Sequence, residues 1–109
     1  MAKSLPYRAT TSSGEVIDLE FALHPQTQSA VRVSQVLTAV LGAIDREVSL
    51  TGDTGNGDVL QALAMALAVR ARMIPMSADT LDGLARALVN SALDSARSAS
   101  THRTPIGHG

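Results

Sequence analysis

The segment Val59–Ile74 is apolar around most of its circumference, and this property limits the fold more than any other feature of the chain. Counted at 100° per residue, two neighbouring apolar stripes together cover roughly 220° of a helix. The first stripe contains Leu60, Leu63, Ala64, Leu67, Ala71 and Ile74, and the second contains Val59, Ala62, Ala66, Val69 and Met73. A helix in a minimal three-helix bundle has only two neighbours, so this helix needs a further covering surface.

Three coverings are open at this stage: an N-terminal strand, a second copy of the chain, or a different protein. Closed twofold homodimers are the commonest soluble oligomers, so we expect a homodimer. Its predicted interface consists of Val59, Leu60, Ala62, Leu63, Ala66, Leu67, Val69 and Met73. The alternative is that the strand and the bundle interior cover this helix within one chain, because Ala is also the best helix former and is common on exposed faces.

A strand is predicted over residues 15–23, where Ile17, Leu19, Phe21 and Leu23 alternate with more polar positions. Residues 1–14 form an N-terminal arm, either a mobile end or the first strand of a hairpin across Ser12-Ser13-Gly14. The strand needs a partner for its backbone groups. The candidates are the segment 5–11 and the same strand of a second chain.

Three helices are predicted over about residues 26–49, 58–74 and 78–96, followed by a flexible tail over 98–109. Pro25 suits a first helical turn, Asp58 with Gln61 suits a capping box, and Ser77 suits an N-cap. At 109 residues, the chain is expected to form one domain over residues 15–97. The expected fold is mainly α, a three-helix antiparallel bundle with an N-terminal β-strand or hairpin, packed as a dimer.

The Gly-rich loop 52–58 is the candidate binding loop, with Asp53, Asn56 and Asp58 as its polar residues. A loop ahead of a helix N-terminus can hold an anion, but Asp53 and Asp58 would repel a phosphate. Their oxygens suit a hard cation, yet the spacing does not match a calcium-binding loop. A plain helix-to-helix turn is the competing interpretation.

No catalytic or metal-binding constellation is predicted, and no cofactor is expected. The chain has no Cys, which excludes disulfides and thiolate chemistry. Glu47 falls on the apolar side of the first predicted helix, but no His lies on a predicted helix to act with it. His102 and His108 are separated by Pro105 and Gly107, which hold no fixed ligand geometry.

Charge gives no sign of a polyanionic partner. Nine basic residues are balanced by ten acidic ones, and the arginines on the predicted helices do not cluster, so no nucleic-acid binding is expected. No membrane association is expected, since the longest apolar stretch is about half of a membrane span. The start of the sequence lacks the pattern of an export signal, which favours a cytoplasmic location.

These observations together favour a non-catalytic helical protein–protein interaction module, a homodimeric adaptor or regulatory protein. The alternative is a helical bundle that binds a small ligand or metal between the second and third predicted helices, with a minor enzymatic activity as one form of it.

Overall fold

The computed structural model of the chain describes residues 3–103. Its elements are β1 (Ser4–Thr10), β2 (Glu15–Ala22), α1 (Ala30–Thr51), α2 (Asn56–Arg72), α3 (Ala78–Arg97) and β3 (Ser100–Arg103). The three predicted helices and the N-terminal hairpin are confirmed. The expected class of a mainly α bundle is too narrow, because the strands form a three-stranded antiparallel sheet of order β1-β2-β3 and the fold is mixed α and β.

The N-terminal arm is the first strand of a hairpin. Strand β1 pairs with β2 in a register that places Tyr7 opposite Leu19 and Arg8 opposite Asp18. The turn is closed by the Gly14 amide, which donates to the Thr11 carbonyl at 3.0 Å, and by the Glu15 amide, which donates to the Thr11 hydroxyl at 3.0 Å. Gly14 has φ of 91°, a left-handed conformation that glycine adopts without a side-chain clash.

Part of the predicted flexible tail forms a third strand, so the tail prediction is wrong for these residues. Strand β3 pairs antiparallel with β2, with Thr101 opposite Ile17 and His102 opposite Val16. The physical reason is that a hairpin alone leaves one edge of β2 unpaired, and β3 supplies backbone partners for it. Because β2 has a neighbour on each side within the chain, the predicted alternative of a strand partner from a second chain is also wrong. The rest of the predicted tail, 104–109, lies outside the described residues.

The two sheet faces differ from the simple alternation predicted for β2. Ile17, Leu19 and Phe21 share one face, as expected, but each is only partly covered. The buried residue of the strand is Val16, on the opposite face. On the first face the Tyr7 and Phe21 rings pack with centroids 6.4 Å apart, which gives this face its aromatic contact.

Helix α1 begins four residues later than predicted, because residues 24–29 form a turn instead of a first helical turn. The Gln26 amide donates to Nδ1 of His24 at 3.1 Å, and the Thr27 amide donates to the His24 carbonyl at 2.9 Å. The Lys3 ammonium donates to the carbonyl oxygens of Pro25 and Thr27 at 3.3 and 3.1 Å. These bonds satisfy several of the segment's backbone polar groups without a helix.

Helix α2 also begins differently from the prediction. Its N-cap is Gly55, with no side-chain capping hydrogen bond, so the expected Asp58 capping box is wrong. The amides of Asp58 and Val59 both donate to the Gly55 carbonyl. Asp58 instead lies in the first turn, where its negative charge meets the positive end of the helix dipole.

Helix α3 follows its prediction closely. The Ser77 hydroxyl accepts a hydrogen bond from the Thr80 amide at 3.2 Å, which is the predicted N-cap contact. Within the helix, Asp82 and Arg86 form an i,i+4 ion pair at 2.9 Å.

The chain divides into two compact units, a helical unit and a sheet unit. The helical unit is Val31–Ala87 and contains nearly all of α1, all of α2 and the first half of α3. The sheet unit contains the three strands and the second half of α3. Within it, the Ala22 amide donates to the Ser95 hydroxyl at 3.1 Å, which ties β2 to α3. Over the described part of the chain, no helix combines the length and the apolarity that a bilayer span needs.

Candidate functional site: an apolar groove between α1 and α2

The helical unit buries very little of its apolar surface. Leu81 is its one buried residue, and neither α1 nor α2 contains any. Several of its large apolar side chains are exposed, including Val36, Leu60, Met65 and Met73. Exposed apolar side chains in this number are typical of a surface that a ligand or a partner covers.

An open groove of about 480 Å³ lies between α1 and α2. Helix α1 contributes Val40, Ala43, Ile44, Glu47, Val48 and Thr51. Helix α2 contributes Asp58, Val59, Ala62, Leu63 and Ala66, and Thr54 lines the groove from the connection. The small side chains of Ala62 and Ala66 leave room for another chain to approach the α2 backbone closely.

One end of the groove is acidic and the rest is apolar. Glu47 and Asp58 are both exposed there, and the ion pairs of the described residues involve neither carboxylate. The neighbouring hydroxyl of Thr51 donates to the Glu47 carbonyl at 3.0 Å and lies 3.2 Å from the Thr54 hydroxyl. This end of the groove is therefore suited to a positively charged group on whatever occupies it.

The structure divides the eight residues of the predicted interface into two sets. Val59, Ala62, Leu63 and Ala66 line the groove. Outside the groove lining, Leu60, Leu67, Val69 and Met73 are exposed by 67%, 39%, 57% and 66%. The single chain therefore leaves the second set, and much of the first, without cover.

The candidate loop residues lie on the surface of the helical unit. Asp53, Asn56 and Asp58 are all exposed, and of the three only Asp58 lines the groove. Among the described residues, no group of three or more His, Asp or Glu side chains is placed to hold a metal ion. Binding of an anion or a cation by this loop stays a prediction.

Sequence reasoning missed the contribution of α1 to this groove. Val40, Ile44 and Val48 recur every four residues and so share one face of the first helix, but this spacing cannot show that the face borders a groove. Thr51 and Thr54 carry no signal in the sequence, since hydroxyl residues at a helix end are ordinary turn residues. The helical period does place Glu47 on the apolar side, and this residue lies at the acidic end of the groove.

A second polar cluster lies on the sheet, on the face that contains Val16. Arg8 bonds to Asp18 through two nitrogens, and Nδ1 of His102 lies 3.9 Å from the Asp18 carboxylate. The hydrogen bond and charge of Arg8 lower the pKa of Asp18. All three side chains are in contact with solvent, and together they make a cross-strand ion pair with a neighbouring imidazole.

Comparisons of the chain with protein-family models, with curated proteins and with solved structures find no significant match. The function of the chain is therefore inferred from the groove and from the surface of α2.

Proposed function

We propose that the chain is a non-catalytic protein–protein interaction module that works as a homodimer, with α2 at the contact between the two copies. The observation that supports this most directly is the exposure of apolar side chains all along α2. Full coverage of one exposed Val, Leu or Met side chain by a partner contributes about 1.5–3 kcal/mol of favourable transfer free energy.

The small number of buried residues in the helical unit argues for association with a partner. A domain of this size ordinarily holds its helices together through a shared core, and in this unit the core is reduced to Leu81. The exposed side chains of α1, such as Val36 and Val40, would be covered by the same association. Two α1–α2 pairs meeting across a twofold axis would form a four-helix bundle.

Charge supports a second copy as the partner. Helix α2 carries Asp58 in its first turn and Arg70 and Arg72 in its last turn. Among the described residues, none of these three side chains forms an ion pair. A second copy of α2 has an apolar surface that could cover the first, and its last turn brings the positive charges of Arg70 and Arg72.

The test is the solution mass of the protein by light scattering, from about 1 to 100 μM, a range that brackets ordinary homodimer affinities. The wild type is expected to have twice the chain mass, and a monomer throughout this range would refute the proposal. In Val69→Glu, a charge replaces an exposed apolar side chain on the proposed contact, so the dimer should dissociate.

Ala68→Glu is the matched control, because it adds the same charge one residue away, outside both apolar stripes. This variant should remain a dimer. Circular dichroism of both variants separates dissociation from unfolding. Equal masses for wild type and Val69→Glu, with native helical content, would contradict the role of α2.

A second candidate function is the binding of a small apolar ligand, and the volume of the groove favours it. About 480 Å³ lies within the size range of small-molecule sites. This groove lies between α1 and α2, whereas the hypothesis drawn from the sequence places the ligand between the second and third helices. A rise in melting temperature with a lipophilic ammonium compound, in a monomeric wild type, would favour ligand binding over self-association.

A further inference from the structure

The second apolar stripe of α2 has the spacing of a helix-pairing seam. Val59, Ala62, Ala66, Val69 and Met73 follow one another at alternating intervals of three and four residues. This is the 3.5-residue period by which two helices keep the same faces in contact along their length. We call these five residues the α2 seam. Its members Val59, Ala62 and Ala66 line the groove, and Val69 and Met73 continue the seam beyond it.

Charged residues flank this seam in a directional pattern. At 100° per residue, Asp58, Met65 and Arg72 lie on the same side of the seam, seven residues apart. Asp58 is in the first turn of α2 and Arg72 in the last, with Met65 midway between them. An identical helix placed against this side in the reverse direction would meet opposite charges at both ends. In the same direction it would meet like charges at both ends.

We propose that α2 of a second copy occupies the groove and runs antiparallel to the first α2 about a twofold axis. This inference rests on the proposed self-association and adds the direction and register of the two helices. Val59 packs beside the partner's Val69, and Ala62 packs beside the partner's Ala66. Asp58 pairs with the partner's Arg72, and the twofold axis repeats this ion pair at the other end.

The acidic end of the groove fits the same arrangement. The C-terminal end of the incoming α2 carries positive side chains and the negative end of its dipole. In the antiparallel register its arginines arrive where Asp58 and Glu47 line the groove. The antiparallel direction therefore brings opposite charges together at the acidic end of the groove, whereas the parallel direction brings like charges together there.

Charge exchange tests the register. In Asp58→Arg and in Arg72→Asp, two attractive pairs become two repulsive ones, so the dissociation constant at low salt should rise about tenfold. The double variant Asp58→Arg/Arg72→Asp restores both pairs with the signs exchanged and should dimerise as the wild type does. Each single change also opposes the helix dipole, but the double variant carries both of those costs, so its recovery isolates the contact between copies.

Cross-linking tests the direction, and the absence of Cys from the chain leaves no background. With a short bis-maleimide, Met65→Cys should give a covalent dimer, because the two copies of residue 65 meet at the twofold axis. Ala68→Cys, outside both apolar stripes, is the matched control and should not cross-link. Asp58→Cys should not cross-link in an antiparallel pair and would do so in a parallel one.

The outcomes separate the two proposals. A monomeric wild type refutes the self-association and the register together. A wild-type dimer whose affinity is not recovered in the double variant, or whose Met65→Cys form does not cross-link, refutes the antiparallel register and leaves self-association standing. Efficient cross-linking of Asp58→Cys also refutes this register.

Discussion

The Arg8 guanidinium forms a bidentate ion pair with the Asp18 carboxylate across the β1–β2 hairpin, with Nε 2.7 Å from Oδ1 and Nη2 3.1 Å from Oδ2. The two residues are directly opposite in the register, so the ion pair joins neighbouring strands. Because the charged carboxylate is the form that accepts these bonds, they lower the pKa of Asp18 and raise that of Arg8.

The Arg8–Asp18 pair should make sheet stability depend on pH in acid. The pKa of Asp18 is lowered by folding, so the pair's contribution is fully present above the ordinary pKa of about 3.9 and is lost as the pH falls through the lowered folded-state value. Asp18→Asn should therefore reduce the urea midpoint slightly at pH 7, and the difference from wild type should shrink in acid. Urea titrations between about pH 2 and 7 measure this. Since the pair is on the surface, about 1 M salt should also reduce the difference, and a salt-independent effect would contradict the assignment.

Gly52 should resist substitution, because the end of α1 needs its backbone conformation. Its φ is 81°, and its amide donates to the Val48 carbonyl at 3.0 Å, which closes the last turn of the helix. Gly52→Ala is expected to lower the free energy of unfolding by about 1 kcal/mol. Gly83→Ala is the control, because Gly83 lies inside α3 and a methyl group added there would meet open space. That change should raise the free energy of unfolding by about 0.5–1 kcal/mol, and equal signs for the two variants would contradict the interpretation.

The Ser77 hydroxyl should contribute measurably to α3, since it accepts the Thr80 amide at the start of the helix. Ser77→Ala removes this acceptor and is expected to cost about 1 kcal/mol of stability in urea denaturation. Ser77→Asp keeps an acceptor at the same position and should retain most of the stability. Equal losses in the two variants would show that the cap contact is not what stabilises this end of the helix.

Local sequence patterns predicted the helices and strands that are determined by their own residues. The alternation through Ile17, Leu19 and Phe21 located β2, and the apolar periodicity located all three helices. The observed ends of these elements differ from the predicted ones where a specific contact satisfies backbone groups. Before α1, for example, His24 and Lys3 form hydrogen bonds with backbone groups of the preceding turn. The Lys3 bonds join residues that are distant in the sequence, and period and propensity do not encode such contacts.

The third strand and the groove depend on contacts between distant segments. Ser100–Arg103 is short and polar, and nothing in its own sequence distinguishes it from a tail. It forms a strand because its backbone pairs with the edge of β2 that β1 leaves open. In the same way, the apolar stripes of α1 and α2 are visible in the sequence, but only the structure shows that Ile44, Leu63 and Ala66 border one groove.

The pairing of β3 with β2 sets an order of assembly during synthesis. Residues 15–22 leave the ribosome long before residues 100–103, and all three helices are made in the interval. Until then one side of β2 has no strand beside it in the nascent chain, and an open edge invites association with other chains. The sheet is thus completed only after all three helices have been synthesised, and until that point the nascent β1–β2 hairpin keeps an open strand edge.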